Sequence, residues 1–382
     1  MYTFSDLKNY LDTILVREKV PGFDCKVLHY GKEVFRYYAG YSDKENKTPM
    51  NGKEMFFLYS ASKVITCAAA LHAMEEGHFL LGHPVWWYLG EFANCKVRKK
   101  HADGTETLEP IKNHIKICDL FSMTAGLNYD NATPAMMELM AKNPKCPTRD
   151  MVRAIADRPL DFEAGTMWQY SLCHDVLAGV VEVATGERFA DYVKRVIFDP
   201  LGMKDSYYHV TPEIEGRICA QYRFNHEKGI PERVEKTNGY IFGEEYDSGG
   251  AGVISTIDDY AKFASAMTNY GVGENGARIL SKASVNLMRT NTLENPNALA
   301  EFRTWMNNAE YGYGYGVRTK IGVGRGGNLC SMGEFGWDGA AGFLASMDPE
   351  KGITILYAQH LLNPHHEVIH PKIKNFVNQI IE

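Results

Sequence analysis

Phe4, Leu7, Leu11, Leu15 and Val16 recur at helical spacing and predict an amphipathic helix over 4–19. Ser5 stands at its start, where a hydroxyl can cap free backbone N–H groups. The period then falls to two. "CKVLHYG" and "KEVFRYYAGY" are β-rich runs that meet at Gly31-Lys32, the mark of a hairpin. From Ser60 to Glu76 the chain is alanine-rich and helix-forming, with Gly77 as its stop. "VRKKHADGTETLEPI" turns at Asp103-Gly104 and predicts a surface β-ribbon. Residues 111–205 read as helices punctuated by Pro and Gly. In "SGGAGVISTIDDYAKF" a glycine-rich approach leads to a capping box, Thr256 with Asp259, and a helix. Beyond 310, "YGYGYGVRTKIGVG", "GFLASMD" and "GITILYAQH" read as strands, and "KIKNFVNQII" as a final helix.

Strands at both ends around a helical middle predict an α/β (α+β) chain in which the ends build a mixed antiparallel sheet flanked by helices. One unit spans 1–382: a sheet lobe from about 1–58 and 235–382, and a helical lobe from about 59–234 with the ribbon near 95–112. A site is expected in the cleft between them. The 382 residues are 45% apolar and 23% charged, ordinary for a folded globular chain with room for a large core. A net charge of −6 leaves no electrostatic footprint for nucleic acid. The basic run from Lys96 to His101 is short and offset by Glu106 and Glu109, so it reads as a solvated face. Eight cysteines without a Cys-x-x-Cys pair read as reduced, mostly buried thiols. The charged N-terminus lacks an apolar signal core, and no apolar run is long enough to span a bilayer. The expectation is a cytoplasmic protein with no membrane partner, or one whose leader has been removed.

Candidate chemistry centres on "FFLYSASKVIT", with Ser60 and Lys63 three apart. On a helix these share a face, with Ser60 at the N-terminus where the macrodipole favours developing negative charge. A serine needs a neighbouring base to become a nucleophile, and Lys63 qualifies in apolar surroundings such as "VITCAAALHAM". The spacing alone favours a capping serine beside a snorkelling lysine. Ser5 and Lys8 repeat the pattern and need no more than that explanation.

The surrounding stretches are more specific. "FFLYSASK" after a hairpin resembles the active-site motif of penicillin-recognising serine hydrolases, a β-lactamase/transpeptidase-like fold. The nearest branch looks like class C β-lactamases, D-alanyl-D-alanine carboxypeptidases and family VIII carboxylesterases. "PGFDCKVLHYGKEVFRYYAGYSD", "IKICDLFSMTAGL", "FEAGTMWQYSLCHDVLAGVVEVATG", "IFDPLGMKDSYY" and "GGAGVISTIDDYAKFA" are similar to family landmarks in the same order. The resemblance implies Tyr170, after Ala164-Gly165-Thr166, as the phenol held near Lys63 that relays the proton from Ser60. Tyr129-Asp130-Asn131 is a literal Tyr-x-Asn and a rival, but its flanks do not match. The family's asparagine is replaced by Leu172, which weakens the expectation of β-lactam recognition and not that of acyl transfer. Where the family usually carries Lys-Thr-Gly stands Trp337-Asp338-Gly339, the expected substrate-binding strand of an esterase-like branch. Asp338 would repel an anionic substrate if it faced the cleft. The backbone N–H groups of Ser60 and Ala340 are implied as the oxyanion hole.

Two further patterns compete. His366-Glu-Val-Ile-His370 has the zinc-protease spacing, but Pro371 follows at once and only twelve residues remain for a third ligand. Solvated histidines leading into the last helix are expected instead. Gly322-Val-Gly-Arg-Gly-Gly327 fits a dinucleotide fingerprint, but no helix follows it. Cys67 and Cys173 are expected to be small core residues. The resulting expectation is a metal- and cofactor-free serine hydrolase that acts on small esters through an acyl-enzyme, with Trp337 shaping an apolar cleft. A β-lactamase or D-Ala-D-Ala peptidase, acyl transfer on the same residues, and a non-catalytic binding protein are the alternatives.

Overall fold

The computed structural model describes residues 2–363 and 365–381. Helix α1 (Ser5–Arg17) precedes the hairpin of β1 (Gly22–His29) and β2 (Lys32–Asp43), with β3 (Thr48–Pro49) on its edge. Central to the helical region are α2 (Ser62–Glu75) and α3 (Cys173–Thr185). Then come α4 (Ile257–Thr268), α5 (Pro296–Met306), β4 (Tyr311–Tyr313), β5 (Arg318–Lys320), β6 (Phe335–Asp338), β7 (Leu344–Asp348), β8 (Ile353–Gln359) and α6 (His366–Ile380). The strands form one eight-stranded sheet, in the order β4-β5-β6-β7-β8-β1-β2-β3. The two ends of the chain meet where β1 pairs with β8, Phe23 opposite Gln359 and His29 opposite Ile353. Every pairing in this sheet is antiparallel. Outside this sheet, Leu361–Leu362 pairs in parallel with Gln221–Asn225.

The pleat sorts side chains between two cores. Ile353, Ile355 and Tyr357 of β8 join Leu7, Leu11 and Ile14 of α1 and Ile373 and Val377 of α6 on one face. Leu356 and Ala358 point the other way, into the core that holds Tyr260 and Phe263 of α4. Burying each of the three α1 side chains contributes roughly 1.5–3 kcal/mol. The buried stripe of α1 is narrower than the sequence predicted, since Val16 is exposed and Leu15 only half-buried. Ser5 makes no side-chain cap, because Phe4 occupies the N-cap position. Thr256 does cap α4, accepting from the Asp259 N–H at 3.1 Å. The return half of the box is not made; Asp259 accepts from the Asp205 N–H instead, at 2.6 Å.

Helix α2 is apolar on nearly every side and runs through the middle of the helical lobe, as its alanine-rich composition demands. The ribbon pairs Lys96–Lys100 with Glu106–Pro110, turning at Gly104 with φ +84°. Seven cysteines are buried, Cys118 is half-buried, and none is paired. The last helix begins earlier than predicted. It includes His366-Glu-Val-Ile-His370, and Pro371 fits because it lies within the second turn, at the cost of one backbone bond. No helix among the described residues is long and apolar enough to cross a membrane.

Candidate active site

Ser60 lies on a short 3₁₀ turn, Tyr59–Ala61, that leads directly into α2. Ser60 therefore sits just ahead of the helix proper, which begins at Ser62. Tyr59 has φ +47°, a left-handed conformation that costs a bulky residue about 1–3 kcal/mol and is held by its surroundings. Its phenol donates to Gln221 at 2.5 Å, and the flanking Leu58 N–H donates to the Val253 carbonyl at 2.9 Å. Ser62 accepts from the Val253 N–H at 3.0 Å, so the turn is clamped on both sides to one strand edge.

Lys63 is fully buried, and its Nζ lies 3.3 Å from Ser60 Oγ. Its other partners are the Gly250 carbonyl at 2.7 Å and the Tyr129 hydroxyl at 3.2 Å. All three are uncharged. Burial, and then the neighbouring Tyr170 and Asp175, hold the Tyr129 phenol well above the ordinary tyrosine range, so it stays protonated. Tyr170 is brought to the same place in a different pose. Its ring centroid is 4.7 Å from Lys63 Nζ, while its hydroxyl accepts from Trp337 Nε1 at 3.2 Å. Tyr129 and Tyr170 stack with centroids 5.3 Å apart. The phenol in hydrogen-bond contact with Lys63 is thus that of Tyr129, whereas Tyr170 presents its face.

The glycine-rich approach to α4 has a second purpose, which the sequence did not disclose. Asp175, buried on α3, accepts from Tyr246 and Ser248 at 2.7 Å each and from the Gly250 N–H at 3.2 Å. This network pins the segment whose carbonyl holds Lys63. A Cβ on Gly249 would sit 2.2 Å from the His174 carbonyl, so only glycine allows that approach. A His174-Asp175 pair at the start of a mostly apolar helix was the available signal.

Strand β6 forms the opposite wall. A Cβ on Gly339 would lie 2.4 Å from the Leu58 carbonyl, which is how the turn carrying Ala340 comes against the Ser60 turn. A cavity of about 390 Å³ opens there, lined by Ser60, Tyr170, Trp305, Trp337, Asp338 and Ala340 and reaching His370 on α6. Tyr129 is not among its lining residues. Trp305 of α5 was not foreseen; its indole lies parallel to that of Trp337, centroids 5.9 Å apart, and stacks on Tyr170 at 4.9 Å.

Asp338 does face the cleft, but not as an unmatched charge. Arg318 of β5 donates to it at 2.9 Å. Burial pushes its carboxyl upward, yet Arg318 and His370 outweigh this and hold it well below the usual carboxylate range. Behind it, Lys374 pairs with the buried Glu334 at 3.3 Å. His370 is only 4% exposed, and so is not the solvated histidine expected. Among the described residues no cluster of three or more His, Cys, Asp or Glu side chains could hold a metal ion. The Gly322–Gly327 stretch is a strand connection without a helix.

A family model described as Beta-lactamase matches residues 7–374. The esterase EstB of Burkholderia gladioli is 30% identical over 67% of this chain and 68% of its own length. The lovastatin esterase of Penicillium rubens is 28% identical, over 77% of this chain and 74% of its own. Among solved structures, unliganded simvastatin synthase (LovD) from Aspergillus terreus superimposes with a TM-score of 0.83 at 21% identity, covering 99% of this chain and 98% of that one. With a family match across nearly the whole chain, an esterase relative at 30% identity and a shared overall fold, the chain belongs to the beta-lactamase family and is a β-lactamase-related serine hydrolase.

Proposed function

We propose that the protein is an esterase that works through an acyl-enzyme on small esters, with Ser60 as the nucleophile. The observation that carries this reading is the contact of Ser60 Oγ with the buried Lys63, 3.3 Å away, at the floor of an aromatic-walled cavity. Oγ attacks the ester carbonyl, and Lys63 and Tyr170 move its proton to the departing alkoxide. Tyr170 suits the transfer because it lines the cavity; Tyr129 supports Lys63 from behind. The N–H groups of Ser60 and Ala340 take the developing oxyanion, each such donor being worth about 10²–10³ in rate. Water then enters and breaks the acyl–oxygen bond by the same route. Trp305 and Trp337 favour an apolar acyl group or alcohol. The strand that in penicillin-recognising relatives offers a lysine to a substrate carboxylate offers Trp337 and an Arg318-paired Asp338 here. The absence of that lysine favours neutral esters over β-lactams. The names of the esterases among its relatives point the same way.

The test is parallel hydrolysis of p-nitrophenyl acetate, p-nitrophenyl butyrate and a chromogenic cephalosporin by wild type and Ser60→Ala. Ester turnover that disappears with Ser60, with little cephalosporin cleavage, is the expected result. Efficient cephalosporin cleavage would move the protein to the β-lactamase branch. Faster release of p-nitrophenol on adding a small alcohol, with the alkyl ester as product, would make it an acyltransferase. Turnover unchanged in Ser60→Ala would end the reading.

A further inference from the structure

The lining of the cavity over Ser60 is of two kinds. Tyr170, Trp305 and Trp337 supply aromatic carbon, while Asp338 and Asn308 bring polar side chains to the same space. Asp338 uses only half of its carboxylate. Its Oδ1 accepts from Arg318 at 2.9 Å, but Oδ2 accepts no hydrogen bond from any described residue. His370 Nδ1 lies 3.5 Å from Oδ2 without bonding to it. The Asp338 side chain is 22% exposed and Oδ2 is not sealed in the core, so this acceptor stays open to the cavity. Asn308 is its complement. Its Oδ1 accepts the Glu310 N–H at 3.0 Å, which sets the orientation of the amide, and its Nδ2 donates to none of the described residues. A hydroxyl group both donates and accepts, and so suits a space with one unused acceptor and one unused donor.

Charge narrows the choice. Arg318 faces Asp338 and Lys374 faces the buried Glu334 behind it, two cations against two anions. A further cation therefore finds no net negative charge, and an anion meets the lone pairs of Oδ2. A neutral donor gains a charge-assisted hydrogen bond and leaves the balance as it was. The position also selects one half of the ester. In the esterase reading, on which this inference rests, the Tyr170 hydroxyl meets the departing alkoxide. Trp337 Nε1 donates to that hydroxyl at 3.2 Å, so Trp337 and Asp338, at the end of β6, flank the alcohol. We propose that Asp338 is a specificity-determining residue whose open Oδ2 accepts a hydrogen bond from a neutral hydroxyl on the alcohol half. The preferred substrates are then esters of apolar acids with polyols, monoacylglycerols among them. An analogue without that hydroxyl leaves the carboxylate oxygen unpaired in a cavity from which it has displaced water.

The test compares glyceryl monobutyrate with its dimethyl ether, which keeps both oxygens and loses both donors. Wild-type kcat/KM should favour the glyceryl ester by about ten- to hundredfold, the worth of one hydrogen bond to a charged group. In Asp338→Asn the amide oxygen can keep Arg318 and turn its NH₂ to the cavity, where it serves hydroxyl and ether alike. The two esters should then differ by no more than about threefold. Equal kcat/KM for both in wild type, or a preference that survives in Asp338→Asn, overturns the proposal. If that variant does not fold, carboxyethyl butyrate replaces it as a probe of the wild-type protein. Oδ2 should make this anion slower than the dimethyl ether; an equal or faster rate would place Arg318 in charge of the site and overturn the proposal. p-Nitrophenyl butyrate has no donor on its leaving group. Its Ser60-dependent turnover without a glyceryl preference would leave the esterase reading standing and remove the role of Asp338. No Ser60-dependent turnover of any of these esters would end both.

Discussion

Replacing each of the two stacked tyrosines with phenylalanine separates support of Lys63 from proton transfer. Tyr129→Phe removes one of the three hydrogen-bond partners of a fully buried lysine and leaves Ser60 and the Gly250 carbonyl in place. A hydrogen bond lost at such a buried polar group costs about 1–3 kcal/mol. If that loss falls wholly on the transition state, kcat/KM drops about ten- to hundredfold, since about 1.4 kcal/mol is a factor of ten. Tyr170→Phe removes from the resting enzyme only the bond from Trp337. In the proposed mechanism it also removes the hydroxyl that hands the proton to the leaving group, and general acid–base catalysis of that kind is worth about 10²–10⁴. The phenylalanine rings preserve both the stack and the packing over Lys63. Stopped-flow release of p-nitrophenol separates acylation from deacylation, and the burst amplitude counts competent Ser60. The expected order is wild type, then Tyr129→Phe, then Tyr170→Phe, with a full burst amplitude in Tyr129→Phe. A larger loss in Tyr129→Phe than in Tyr170→Phe would refute the division of labour and make Tyr129 the proton carrier.

Two other perturbations have equally direct readouts. Gly339→Ala places a methyl 2.4 Å from the Leu58 carbonyl, so β6 must retreat from the Ser60 turn; kcat should fall by about 10²–10³, the worth of one oxyanion donor, with far-UV circular dichroism unchanged. Glu182, whose carboxylate accepts from the Phe189 N–H at 2.9 Å, is pushed by burial from its ordinary value near 4.5 up to about 7. The folded state therefore binds a proton that the unfolded chain has already released, and this contribution to stability, complete below about pH 4.5, is lost as pH rises through about 7. The melting temperature of Glu182→Gln should change less between pH 5 and pH 8 than that of wild type; an equal change in both would show that Glu182 does not titrate in that range.

Local pattern was enough for most of the scaffold. The period-two runs at 25–41 and beyond 343 had to be strands, because alternate side chains there are all that can reach the two cores on either side of the sheet. The alanine-rich run after Ser60 had to be a buried helix, and Asp103-Gly104 a ribbon turn, since both follow from properties of a few adjacent residues. The candidate nucleophile and its lysine were legible for the same reason, being three residues apart. Which partners meet them was not. Tyr129, Asp175, Arg318, Trp305 and His370 come from five separate segments, and the local signals some of them carry, such as the Tyr-x-Asn at Tyr129, do not by themselves place them at the cleft. The same tertiary arrangement reversed two expectations. Asp338, expected to repel an anion if it faced the cleft, does face it but is paired with Arg318, twenty positions earlier, which the pairing of β5 with β6 brings within reach. His370 was expected to be solvated at the lead-in to the last helix, yet the packing of α6 against the sheet buries it beside Gly342. Periodicity and spacing decide what a segment becomes. Whether a charge is paired, buried or aimed at a substrate depends on residues far away in the chain, and only the folded sheet brings these into reach.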